Sequence, residues 1–151
     1  MSVREQLSLD GVWRIAFDPA NTGKIRQWHE PERFFEHGEF EEIRVPSCWE
    51  TLRQDYEGAA WYGRRFSVPA AWQGRSVRLR FGAANYRAEA YVNGQPAGFH
   101  EGGYTRFEFE IADLLDFESE NALVVRVIGP IVTQDIVIDG LGRNDMPHWR
   151  G

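Results

Sequence analysis

Two groups of residues in this chain carry side chains that could do chemistry. The first is His100-Glu101-Gly102-Gly103-Tyr104, an imidazole and a carboxylate set before paired glycines. Adjacent glycines permit positive φ and close backbone approach. The combination suits a loop whose carboxylate and imidazole face a ligand or a neighbouring domain. It equally suits a self-capping turn, in which Glu101 or His100 satisfies backbone N–H groups. The second reading is the simpler at the end of a β-sheet. The other group is the stock of 23 Asp and Glu. Hydrolysis by a retaining carboxylate pair needs the two groups about 5–5.5 Å apart, one as acid/base and one as nucleophile. It also needs one pKa raised by an apolar wall or a neighbouring charge. Glu101 with Asp113, or Asp55 with Glu57, could be nominated. With this many acids loose pairs are inevitable, and neither is expected to be catalytic. Glu118 and Glu120 flank a turn and are expected in solvent.

Other chemistries find no footing. His29, His37, His100 and His148 have no metal-ligand spacing, and Cys48 is the only cysteine, so no metal is expected. Gly140-Leu141-Gly142 meets Asp145 where a dinucleotide fingerprint needs a third glycine. No phosphate loop with Lys is present, and Ser47 and Ser76 lack a nucleophile-elbow context. No cofactor is expected. A net charge of −6 argues against nucleic acid, whose phosphates call for Lys and Arg. No apolar run approaches the ~18 residues that span a bilayer, so no membrane partner is expected. The opening MSVREQLSLDGVW has no apolar signal core. With a single cysteine, which excludes an internal disulfide, a cytoplasmic location is the expectation.

The elements that must position these groups are strands. Trp13, Ile15 and Phe17 alternate with polar or small residues, which marks a strand with one buried face. Glu42 to Val45, Ala59 to Val68, Arg75 to Phe81, Arg87 to Val92, Thr105 to Ile111 and Ala122 to Ile128 read likewise. Val77, Leu79 and Phe81 should face inward, as should Ala88, Ala90 and Val92, with Arg75, Arg78 and Arg80 mostly in solvent. Asn93-Gly94 is a strong hairpin signal. It should pair Val92 with Gln95 and leave Pro96 at a non-hydrogen-bonded site, its missing donor pointing outward. The strand Gln95 to Phe99 should therefore be an edge. Residues 21–37 read as a long loop with a short helix around Lys24 to Trp28, and Asp113 to Leu115 as a single helical turn. No long amphipathic helix intervenes. The expectation is all-β: two packed antiparallel sheets. Residues 1–129 form the sandwich, and 130–151 an irregular extension in which Ile131 to Ile138 could add a strand. The chain is expected to be a piece of a longer polypeptide.

The six tryptophans divide by context. Trp13 and Trp61 lie in strand patterns, Trp13 in the core. Trp28, Trp49 and Trp72 lie in loops, where rings serve sugar stacking or domain interfaces equally well.

The ordered pieces resemble the N-terminal sugar-binding domain of glycoside hydrolase family 2, the family of β-galactosidases, β-glucuronidases and β-mannosidases. They are Leu9-Asp10-Gly11-x-Trp13, Val45-Pro46-Ser47-x-Trp49, Trp61-Tyr62-x-Arg64-x-Phe66 with Val68-Pro69, and Val77-x-Leu79-x-Phe81. Ala90-Tyr91-Val92-Asn93-Gly94 follows, then Gly98 to Phe107 with its His-Glu-Gly-Gly-Tyr segment, and Asn121-x-Leu123-x-Val125-x-Val127. The resemblance covers about residues 7 to 129. It implies a jelly-roll, galactose-binding-domain-like sandwich, with an immunoglobulin-like domain and a TIM barrel as partners in the same polypeptide. The barrel supplies both catalytic glutamates, so this chain alone should be inactive. The resemblance implies a sugar-contacting role for Asp145, and Trp149, close to it in sequence, is the candidate ring for packing on a substrate; His100, Glu101, Tyr104 and Trp49 are further loop candidates. Two other functions stay open, an autonomous carbohydrate-binding module and a pure assembly domain. Carbohydrate and a second copy of the chain are the remaining partners to consider.

Overall fold

The computed structural model describes residues 5–36, 40–45, 58–83, 86–102, 107–128 and 134–141. Among them ten strands form two sheets, all of whose pairings are antiparallel. The strands are β1 (Glu5–Ser8), β2 (Gly11–Asp18), β3 (Glu41–Val45), β4 (Ala59–Phe66) and β5 (Ser76–Ala83). They continue with β6 (Tyr86–Val92), β7 (Gln95–Gly102), β8 (Phe107–Glu110), β9 (Asn121–Ile128) and β10 (Gln134–Leu141). The smaller sheet has the order β1-β10-β5-β8 and the larger β3-β2-β4-β9-β6-β7. From β4 onward the chain changes sheet at β5, β6, β8, β9 and β10, which gives the expected antiparallel sandwich.

Alternation builds the space between the sheets. Trp13 and Ile15 of β2, Val77, Leu79 and Phe81 of β5, Ala88, Ala90 and Val92 of β6, and Leu123, Val125 and Val127 of β9 are all buried there. These are the inward positions that the pattern gives. Phe81 and Phe107 stack across β5 and β8 with centroids 4.8 Å apart.

A second apolar layer lies on the outer face of the larger sheet. Ala16, Trp28, Phe34, Trp61 and Val124 form a separate buried cluster. Phe34 comes from the helix α1 (Pro31–Glu36). A Cβ at Gly63 would stand 2.2 Å from a Phe34 ring carbon, so only glycine in β4 lets that ring settle on the sheet. β4 and β9 are thus covered on both sides, and β9 is buried at seven of its eight positions.

Several expectations need correction. The short helix is α1, not Lys24 to Trp28. Residues 23–29 are successive turns, and Gln27 at φ 60° cannot continue a right-handed helix. Pro31 opens α1 at the first helical position, where its missing N–H has no intrahelical acceptor to lose. β1, a short polar edge strand, carries no pattern to read. The further strand considered at Ile131 to Ile138 exists as Gln134–Leu141, β10, and it lies inside the smaller sheet between β1 and β5 rather than in an irregular extension. Arg78 is buried rather than solvent-side. Its Nη1 lies 2.9 Å from Glu108 Oε1 on the outer face of the smaller sheet.

The hairpin forms as the dipeptide dictates, with Asn93 at φ 52° and Gly94 at φ 82°, the mirror-image turn that matches strand twist. Val92 faces Gln95 and Tyr91 faces Pro96. β7 is the sheet edge, as Pro96 requires. The register then slips: Ala90 faces Gly98, which leaves Ala97 as an extra residue, a β-bulge. Gly98 has φ 154°, and a Cβ there would lie 2.5 Å from the Phe109 ring.

Candidate functional site

A row of charged and aromatic side chains crosses the outer face of the larger sheet. Pairing register sets up a row across four strands: Trp61 of β4 faces Arg126 of β9, Arg126 faces Glu89 of β6, and Glu89 faces Phe99 of β7. The turns at 19–30 lie over this row. Trp61 is 0% exposed, and its Nε1 donates to Asp18 Oδ2 at 3.1 Å. Asp18 ends β2 and also accepts the backbone N–H groups of Thr22 and Gly23, each at 2.8 Å. Trp28 meets the Trp61 ring edge-on at 6.0 Å. Tyr91 stacks on Trp61 at 6.3 Å, with His29 5.2 Å from Tyr91.

Glu89 is the electrostatic hub. Arg87 Nε donates to its Oε2 at 2.9 Å and Arg126 Nη1 to its Oε1 at 3.3 Å, with Lys24 Nζ also 3.3 Å away. Arg126 Nη2 donates to Asn21 Oδ1 at 2.7 Å, tying the turn segment to β9. Burial acts most strongly on the Glu89 carboxyl and would raise its pKa. The Arg87 hydrogen bond, then the charges of Arg126 and Lys24, together outweigh it and hold the carboxyl below its ordinary value. The Arg87 guanidinium is raised, chiefly by its hydrogen bond to Glu89. Tyr91 is raised as well, by burial first and then by the Glu89 charge.

A carboxyl held low contributes stability that is complete above the unfolded-state value, about 4.3 for Glu. That contribution is lost as pH falls through the lower folded value. The urea midpoint should therefore drop on acidification below about pH 4.3, and Glu89→Gln should flatten part of that fall. Equal slopes in the two proteins would show that Glu89 is not held by its neighbours.

Of the residues singled out from sequence, His100 and Glu101 are described, and they lie in β7 rather than in a loop or a capping turn. Neighbours in a strand point to opposite faces, so the two do not act together. His100 stacks on Phe107 at 4.3 Å and 10°. Glu101 Oε2 lies 3.1 Å from Arg87 Nη1 on the outer face, which removes it from any pairing with Asp113. Trp28 and Trp72 are 3% and 2% exposed, so neither is a stacking platform. Trp49, Asp55, Glu57, Tyr104, Asp145 and Trp149 lie outside the described residues. The ionic row itself was missed. Its one signal was the outward phase of β6, since Ala88, Ala90 and Val92 facing in leaves Arg87, Glu89 and Tyr91 facing out.

A shallow cleft of about 450 Å³ opens on the same face, farther toward β3. Val12, Arg14, Phe35, Glu42, Arg64 and Arg65 line it. The Arg65 guanidinium carbon lies 4.4 Å from the Phe35 ring centroid. That of Arg14 lies 5.5 Å from Phe35 and 4.5 Å from Phe40. Arg64 donates to the carbonyls of Leu9 and Asp10 at 2.6 and 2.9 Å. Among the described residues no group of three His, Cys, Asp or Glu could hold a metal ion. No helix among them is long and apolar enough to cross a membrane.

Comparison with known proteins agrees with this architecture. The family described as glycosyl hydrolases family 2, sugar binding domain, matches residues 51–140. A β-glucuronidase of Paenibacillus borealis is 31% identical over 132 residues, 82% of this chain and 21% of that protein. A β-galactosidase of Thermoanaerobacter pseudethanolicus is 33% identical over 100 residues, 62% of this chain and 14% of that protein. The solved structure of the Ruminococcus gnavus β-glucuronidase in complex with D-glucuronic acid shares the fold. It has a TM-score of 0.81 at 24% identity, over 91% of this chain and 29% of that one. The chain spans 14–21% of the length of these two curated relatives. With more than half its residues inside the family match, the chain belongs to the sugar-binding domain of glycosyl hydrolases family 2.

Proposed function

We propose that this chain serves as a non-catalytic domain of a family 2 β-glycosidase, one that braces a catalytic barrel and lends loops to its pocket. The carrying observation is one of proportion. The matched domain amounts to about a fifth or less of β-glucuronidase and β-galactosidase relatives. The chemistry within it supports the same reading, because the carboxylates buried on its outer face are already engaged. Asp18 is held by three N–H donors, and Glu89 by three cations. Neither is poised as a free acid or nucleophile. The proposal includes immunoglobulin-like and barrel domains as partners, sugar contact by Asp145 and Trp149, and a cytoplasmic setting consistent with the single Cys48.

The purified chain is expected to release no 4-nitrophenol from 4-nitrophenyl β-D-glucuronide or β-D-galactoside above the buffer rate. Turnover that disappears on replacing one carboxylate would overturn the proposal. A second reading, a module that binds carbohydrate unaided, is favoured by one feature, the cleft at Arg14 and Arg65.

A further inference from the structure

We propose that the cleft between β2, β3, β4 and α1 binds a uronate, a sugar residue bearing a carboxylate, through Arg14 and Arg65. Both side chains leave the outer face of the larger sheet, Arg14 directly across from Gly63 and Arg65 two residues further along β4. Both guanidinium groups lie over the Phe35 ring, and that of Arg14 lies nearer still to Phe40. Their surroundings differ from those of Arg87 and Arg126 on the same face, which are committed to Glu89. Among the described residues, no carboxylate lies within ion-pair distance of Arg14 or Arg65.

A guanidinium resting over an aromatic ring spends no N–H on a hydrogen bond to that ring's carbons, and its fork of donors matches a carboxylate with two parallel hydrogen bonds. The ring also restrains the side chain, so less freedom is lost on binding. The rest of the lining suits a pyranose. Exposed Val12 and half-buried Phe35 offer apolar surface to C–H faces. Glu42, across the strand pair from Arg14, offers an acceptor for hydroxyls. A volume of about 450 Å³ is within the usual range for small-ligand sites. The local excess of arginine runs against a chain net charge of −6, which concentrates anions at the cleft rather than over the surface at large. The arginines call for a carboxylate, while the choice of a saccharide rests on the family 2 sugar-binding reading.

Titration of the ¹⁵N-labelled chain with sodium D-glucuronate, D-glucose and sodium acetate, at constant ionic strength, tests the site. Glucuronate should shift amides of β2, β4 and α1 with a millimolar Kd, and the two controls should bind at least about tenfold more weakly. The double variant R14Q/R65Q should lose about tenfold or more in affinity, with unchanged amide positions in β5 and β9 reporting an intact fold. R14K/R65K keeps the charge but not the fork and should recover only part. Glucose binding as tightly as glucuronate would overturn the uronate assignment, and so would acetate doing so. Glucuronate shifts confined to another surface would overturn this cleft while sparing the sugar-binding reading. Silence with all three probes would also overturn the cleft, and the glycoside turnover assay would still judge the non-catalytic role separately.

Discussion

Trp61→Ala is expected to lower the unfolding free energy by about 3–5 kcal/mol, seen as a lower urea midpoint at unchanged slope. The ring is fully buried and sits where the turn segment 19–30 meets the sheet. Its removal opens a cavity that Trp28, Tyr91 and the Arg126 guanidinium would border. It also takes one donor from Asp18, a carboxylate that is itself buried, and a buried acceptor short of a partner costs about 1–3 kcal/mol. Trp61→Phe separates the two contributions, since it keeps most of the packing and loses the N–H. It should cost much less than the alanine variant. A loss below about 1 kcal/mol for Trp61→Ala would be far under the usual range for a buried tryptophan and would mean that the outer layer is not packed as described.

Arg126→Ala should cost about 3 kcal/mol, at the low end for breaking a buried ion pair. Arg87 and Lys24 would still face Glu89, which is why the value is not higher. The double variant Arg126→Met with Glu89→Met should be less destabilised than the sum of its parts. With both charges gone no buried carboxylate is left uncompensated, and apolar groups of similar volume often replace such a pair without loss. Denaturation of the wild type, both single methionine variants and the double variant at pH 7 gives the coupling directly. Additive losses would show that Arg126 and Glu89 act independently.

Much of the fold is legible in the sequence because its strands alternate. Arg75 to Phe81 and Arg87 to Val92 show which side faces in by simple period-two reading, and Asn93-Gly94 with Pro96 fixes the hairpin and its edge. Legibility fails where a second layer covers the sheet. Ala59 to Tyr62 and Ala122 to Val125 are apolar at consecutive positions, so period two vanishes. No local rule says that the polar stretch 19–36 folds back over them. The same layer hides the ionic row. Arg87, Glu89 and Arg126 resemble solvated outward residues until Lys24 and Asn21 arrive from 65 and 105 residues away. Arg78 misleads in the same way, since only the register of β5 with β8 brings Glu108 to it. Gly102-Gly103 makes His100 and Glu101 look like a loop, yet β7 runs through Gly102. The cleft is illegible for a simpler reason. Arg14, Phe35 and Arg65 belong to three elements, and only the seating of Phe34 against Gly63 brings the next ring along α1 to the two cations.

The bulge in β7 has a consequence for the chain's behaviour in a crowded solution. An outermost strand offers spare backbone groups to any passing extended segment, and that is how amyloid-like stacking begins. Here Pro96 withholds one donor, and the extra residue at Ala97 throws the following amides out of step. Foreign strands therefore find no straight template on that side, and copies of this chain that collide there should separate instead of knitting into fibrils.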